Sequence, residues 1–272
     1  MPVSTTTAGF KHWRKMPVSA ELIRWFGWFV LVAFFVFCWQ IMTKDTIWAF
    51  VSDAPRQGAD ILSRAFPPRL SYFPELLVPL WDTLNMATLG TAAGTLLAVP
   101  IAFLAARNTT PSLLFIRPAA LFLIVASRSI NSLIWALLLV AILGPGLLAG
   151  IIAIALRSIG FVGKLLYEAI EEVDQSQVEA VSATGASRLQ VIDYAIVPQV
   201  LPSFLGITVF RWDINIRESA ILGLVGAGGL GLKLQSSLSM LAWPQVTTIF
   251  LVILLTVIIS EWISAHVRKA IT

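Results

Sequence analysis

Polar and apolar positions in this chain alternate at the scale of whole segments rather than single residues. Six runs are predominantly apolar: Trp25 to Met42, Pro79 to Ala106, Leu113 to Leu143, Leu147 to Tyr167, Val197 to Leu222 and Val246 to Ile263. The hydrocarbon core of a bilayer needs about 20 such residues per helix. The pattern therefore predicts six transmembrane helices in an all-α membrane protein. Residues 1–78 form an N-terminal tail, the first span and an external segment (44–78) that is expected to be partly helical along the surface. Residues 79–266 form a core of five spans, with a polar loop at 168–196 between the fourth and fifth.

Charge then orients the spans. The first span follows Lys11, Arg14, Lys15 and Arg24, the basic-then-apolar order of a signal peptide. Its length and the lack of a small-x-small cleavage site mark it as an uncleaved anchor. With the N-terminus inside, ten Lys and Arg fall in cytoplasmic segments. Five are external: Lys44, Arg56, Arg64, Arg69 and Lys233. That two-to-one ratio favours both termini in the cytoplasm. Within the second span, Gly90, Gly94, Ala98, Ala102 and Ala106 recur every fourth residue. Such a stripe of small side chains lets helix backbones approach closely in lipid, so this span is expected at the centre of the bundle. Pro100 is placed to kink it.

Composition excludes the other classes. Hydrophobic residues make up 57% of the 272 and charged residues only 12%, half of the roughly 25% usual in soluble domains. The net charge of +4 is explained by topology, and nucleic acid is not an expected partner. One cysteine, Cys38, leaves no disulfide framework and no Cys-based metal site. His12 and His266 both lie near the ends, so no membrane-embedded group supplies a nucleophile with its base, and the chain does not read as an enzyme.

The scarce charge is concentrated. Arg128 and Arg157 fall at the midpoints of the third and fourth spans, and Arg211 near the middle of the fifth, followed by Asp213, Asn215, Arg217 and Glu218. An arginine at the bilayer centre costs about 2.5–3.5 kcal/mol on insertion scales, so it faces a cavity or a partner. Asp213 and Arg217 are four apart in the favourable acid-before-base order and predict an intrahelical pair. Glu218 is placed to pair with Arg128 or Arg157, neither of which has an acid within one turn. Internal neutralisation is one reading of this cluster. The other is a pathway for an anionic solute, because the guanidinium fork matches carboxylate and phosphate oxygens. The candidate pathway residues are Arg128, Asn131, Arg157, Ser158, Asn215, Arg217 and Glu218.

Two motifs carry a resemblance. In the polar loop, Glu179-Ala180-Val181, Gly185 six residues after Glu179, and Val197-Pro198 at the far end resemble the EAA loop of bacterial ABC importer permeases. The departures are apolar for apolar: Val181 for Ala, Ala195 for Ile and Val197 for Leu. The run from Asn215-Ile216-Arg217-Glu218 to Val225-Gly226-Ala227-Gly228-Gly229-Leu230-Gly231 resembles the signature of phosphonate-type permeases. Arg128 to Ala136 and Gly163-Lys164-Leu165 resemble the same group, and the likeness covers roughly residues 80–265. The glycines at 226–231 follow a membrane span rather than a strand, so they read as a tight turn and not as a dinucleotide loop. No G-x-x-x-x-G-K-[ST] occurs, so the chain does not cradle ATP phosphates itself.

The resemblance implies the type I ABC importer permease fold and a place in the bacterial inner membrane. It implies a homodimer working with two ATP-binding subunits, which hold ATP and Mg, and with a periplasmic solute-binding protein. No cofactor or metal is expected on this chain. Glu179, Ala180 and Gly185 are the implied coupling element. The implied cargo is a phosphorus oxyanion: phosphonate, phosphite, hypophosphite or a phosphate ester. A methionine- or amino-acid-type permease would share the loop and the glycine turn, but mid-membrane arginines argue against a mainly apolar solute. A secondary anion transporter would need no ATPase.

Overall fold

The computed structural model describes residues 3–5, 11–13 and 18–271. Arg14 and Lys15, counted above as cytoplasmic positives, lie outside the described residues. The chain forms two units, Met1–Asp60 and Ile61–Thr272. In the first, β1 (Val3–Thr5) pairs antiparallel with β2 (Lys11–Trp13). It also holds α1 (Val18–Thr43), which is apolar on every face, and Trp25, Phe26, Phe29 and Phe34 are all exposed, as a lipid-facing span requires. The next helix, α2 (Trp48–Ala65), begins in this unit and ends in the second. It is amphipathic: Phe50, Val51, Ile61 and Leu62 share one arc, and Asp53, Arg56, Gln57 and Arg64 the other.

The second unit contains α3 (Phe73–Ala105), α4 (Ile116–Ser129), α5 (Ser132–Leu143), α6 (Leu147–Glu171), α7 (Gln175–Ala183), α8 (Arg188–Val191), α9 (Val197–Leu222), α10 (Gly229–Ser239) and α11 (Trp243–Ile271). Among the described residues α1, α3, α6, α9 and α11 are long and apolar enough to cross a membrane. The third expected span is instead broken into α4 and α5, which meet at 87°. The reason lies in the polar residues at its centre. Ile130 turns extended (φ −96°, ψ 130°), and the Asn131 side chain caps α5 by accepting the Leu133 N–H at 3.1 Å. An Asn at that position competes with continued helix by satisfying the donors of a new one. Arg128 consequently sits in the last turn of α4, not at the centre of a straight span.

α3 packs centrally, and its small stripe faces α6. A Cβ on Gly90 would lie 2.7 Å from Ile154 Cγ2, and one on Gly94 2.6 Å from Ser158 Cβ. Pro79 and Pro100 both lie inside α3, which stays one helix through them. Along α3 the core runs from apolar to polar and back. Tyr72 and Leu76 pack on α10 and α11, and Met86 packs with Ile154 and Leu222. Thr91 and Thr95 follow, and Ala102 returns to an apolar cluster with Leu166, Ile170 and Val200.

The glycine segment after α9 is a turn that leads directly into α10. Gly226 and Gly228 take positive φ (95° and 88°), the region glycine enters without a Cβ penalty. Gly231 is needed for a different reason, since its Cβ would meet Ala220 O at 2.1 Å and Gly223 Cα at 2.7 Å. Gly231→Ala should therefore destabilise the protein by about 1–3 kcal/mol, the usual cost of overpacking, despite the better helix propensity of Ala. Gly206→Ala, with nothing within 4 Å of the new methyl, should be neutral or slightly stabilising. Thermal melts of the two purified variants check the contrast.

Candidate functional site

The polar stretch of the core is built by α9 against α3 and α6. Arg211, Asn215 and Glu218 recur at i, i+4 and i+7, so they share one face of α9. Arg211 is 2% exposed. Its Nε donates to Ser158 Oγ at 3.0 Å, its Nη2 approaches Glu218 Oε2 at 3.4 Å, and its guanidinium lies 5.2 Å from the centre of the Phe161 ring. Asn215 Nδ2 donates to the same Ser158 Oγ at 3.0 Å and to Thr91 Oγ1 at 2.7 Å. Buried polar groups are stable only when partnered in this way. The Asn215 Oδ1 is buried with no hydrogen-bond partner among the described residues.

Glu218 joins this network to Arg157 on α6, with Oε1 3.5 Å from Arg157 Nε. Arg157 Nη1 donates to Ile130 O at 3.4 Å, the carbonyl exposed by the break between α4 and α5. At the same break the Ser127 hydroxyl engages two neighbours on α6, donating to Leu156 O and accepting the Gly160 N–H at 2.9 Å. Arg128 lies over Gly160, where a Cβ would meet its Cγ at 2.6 Å. Its side chain is exposed, with no hydrogen bond or ion pair among the described residues.

The structure thus links Arg157, Ser158, Asn215 and Glu218 into one network through Arg211, while Arg128 packs beside α6 at Gly160. Asn131 is beside them, with its side-chain oxygen committed to capping α5. Arg217 belongs to a separate pair: it is bound to Asp213, whose other oxygen accepts from Ser260 Oγ of α11 at 2.8 Å. Arg211 is the residue that sequence reasoning left off the candidate set, although its spacing from Asn215 and Glu218 was there to find it.

Glu179, Ala180 and Gly185 lie on a different part of the molecule, exposed on α7 and in the turn after it. Gly185 has φ 80° and open space around it. It ends α7, and the Ser187–Gln190 capping box starts α8. The loop is strapped to its neighbours. Arg188 donates to the carbonyls of Thr109 (2.8 Å) and Thr110, and Glu171 at the end of α6 accepts from Arg107 N (2.8 Å) and pairs with Arg117 (3.3 Å).

A family model described as "Binding-protein-dependent transport system inner membrane component" matches residues 90–272, about two-thirds of the chain. The chain belongs to that family. It is 42% identical over 261 residues to a phosphite transport system permease protein of Stutzerimonas stutzeri, covering 96% of this chain and 91% of that one. It is 41% identical over 233 residues to a phosphate-import permease protein of Mycolicibacterium smegmatis, covering 84% of this chain and 44% of that one. Among solved structures, the methionine ABC transporter in its inward-facing conformation matches with a TM-score of 0.62 at 21% identity, over 72% of this chain and 96% of that one. At that identity the likeness speaks for the fold, that of type I ABC importer permeases. The protein is thus a multi-pass permease of the inner membrane.

α7 carries one titratable group set by its surroundings. Asp174 caps the helix, accepting from the Ser176 hydroxyl (2.7 Å) and the Ser176 N–H (2.9 Å), and these bonds hold its carboxyl below the ordinary value. A depressed folded pKa means the cap stabilises above the unfolded value of about 3.9 and fails as pH falls through the folded one. Amide protection in α7 should therefore be flat between about pH 5 and 8 and fall at lower pH. Asp174→Ala should lose it at every pH. Hydrogen exchange at Ser176 and Gln177 reads both.

Proposed function

We propose that this chain is the transmembrane subunit of an ATP-driven importer that moves a phosphorus oxyanion, such as phosphite, phosphonate or a phosphate ester, by alternating access. The observation that carries this reading is 42% identity to a phosphite permease across nearly the whole of both chains. The chemistry agrees with it. Arg128 and Arg157 stand at a helix break with guanidinium N–H groups unspent, and a planar fork of donors suits tetrahedral oxyanions. Broken helices with binding groups near the bilayer midplane recur in transporters.

In this reading both termini are cytoplasmic, and the permease works as a homodimer with two ATP-binding subunits and a periplasmic solute-binding protein. ATP and Mg are held by the ATPase, and this chain contributes no cofactor. The exposed face of α7 with Glu179 and Ala180, and the Gly185 turn, dock the ATPase. The straps from Arg188 and Glu171 carry its motion to α3, α4 and α6. Arg128 and Arg157 guide the anion, with Asn131, Ser158, Asn215, Arg217 and Glu218 shaping the charge around them.

Two variants separate the parts. Gly185→Trp should leave the protein inserted while uncoupling ATP hydrolysis from transport; normal solute-stimulated ATPase activity together with normal uptake would refute the docking role. Arg128→Ala should lower uptake of the oxyanion at least tenfold, a loss of about 1.4 kcal/mol in binding terms, with little change in the amount of inserted protein. Parallel loss of both would instead make Arg128 structural.

A further inference from the structure

The geometry around Glu218 deepens the proposed function and rests on it. The carboxylate is divided between two arginines, with Oε2 3.4 Å from Arg211 Nη2 and Oε1 3.5 Å from Arg157 Nε. Strong N–H to carboxylate bonds run at about 2.7–2.9 Å, so both contacts are stretched. The two arginines are otherwise unlike. Arg211 is 2% exposed and also has Ser158 and the Phe161 ring. Arg157 is 29% exposed at its side chain, and its other bond is a 3.4 Å contact to Ile130 O.

We infer that Glu218 is a built-in competitor for Arg157, holding that guanidinium in the absence of solute and yielding it to the passing phosphorus oxyanion. Glu218 offers Arg157 one oxygen. A phosphorus oxyanion offers two or three on a tetrahedral centre, and the guanidinium can take two of them at once. Arg128, in the last turn of α4, packs over Gly160, three residues along α6 from Arg157, and supplies a second fork. The exchange leaves no charge stranded, because Arg157 trades one anion for another and Glu218 stays beside Arg211. It also solves a problem of release. Two arginines free of any acid would hold a dianion too tightly, and a translocation site must bind well enough to admit its cargo and weakly enough to let it leave. A carboxylate that returns to Arg157 supplies that weakening. Glu218 is thus a positioning residue that sets affinity without touching the solute.

The test is uptake of radiolabelled phosphite by cells carrying the complete transporter. Glu218→Gln should lower KM roughly five- to tenfold, the loss of one competing charged contact, and lower the maximal rate, because release slows. An unchanged or raised KM overturns the inference. Should Glu218→Gln fail to accumulate, a pair of melts decides. Arg157→Gln should melt within about 2 °C of the unsubstituted permease and lose uptake, while Arg211→Gln melts far lower. Equal destabilisation by the two, or retained uptake in Arg157→Gln, overturns it. If the unsubstituted transporter takes up no phosphorus oxyanion, the proposed function itself fails. The melting contrast then still reports how loosely Arg157 is held.

Discussion

Arg211 lies in the middle of α9 with almost no exposed surface, and a guanidinium in that place has to find its partners inside the protein. One comes from its own helix, Glu218 at i+7. Two come from α6, the Ser158 hydroxyl and the Phe161 ring. Ser158 is where it is because α3 lets α6 approach, Gly94 leaving no room for even a methyl at the contact. The small-residue stripe and the buried cation are therefore one arrangement. Widening the α3–α6 contact would move Ser158 away from Arg211 and from Asn215, and a buried cation that loses a partner destabilises far more than the pair contributed.

The same helices connect the membrane interior to the loop. α6 begins near the glycine turn, passes Arg157 and Ser158, and ends at Glu171, which is bound to the segment between α3 and α4. α4 starts at that segment and carries Arg128 in its last turn, with Ser127 bonded into α6. Arg188 grips the Thr109 and Thr110 carbonyls, so α8 is tied to the same linker. A displacement of α7 and α8 thus meets α4 and α6 at one end, while the arginines ride on the other ends or middles of those helices. Helices that are packed and hydrogen-bonded along their length move as rigid elements, which is how domain shear is transmitted.

Much of this was legible in the sequence, and the exceptions share a cause. Spans α1, α3, α6, α9 and α11 show as long apolar runs, and the Asp213–Arg217 pair as a four-residue spacing. The break in the third span was hidden because a hydropathy average over 113–143 submerges a short polar insert. Ser127-Arg128-Ser129-Ile130-Asn131-Ser132 nevertheless contains a cap signal in Asn131. The glycines read correctly as a turn, while α10 beyond them shows no strong pattern. Its helical state depends on Leu230 and Leu234 packing against Tyr72 and Ile249, which are distant in sequence. Arg211 was underrated because its partner Ser158 is 53 residues away. The pairing of Arg117 with Glu171 is likewise long-range, and no local pattern encodes it.

The break also explains why positive charge survives where neutralisation was the simpler outcome. Four arginines near the middle of the bundle face two carboxylates, Asp213 and Glu218. Asp213 is used by Arg217. Glu218 is closest to the buried Arg211 and only shared with Arg157. Arg128 and Arg157 are left to the end of α4, where helix carbonyls point outward and the macrodipole is negative. Partial charges of that kind stabilise a cation without cancelling it. An acid placed there would have cancelled that positive field, and a continuous helix would have withheld the Ile130 carbonyl. A broken span is thus a way of keeping two arginines inside a membrane protein while leaving their charge available.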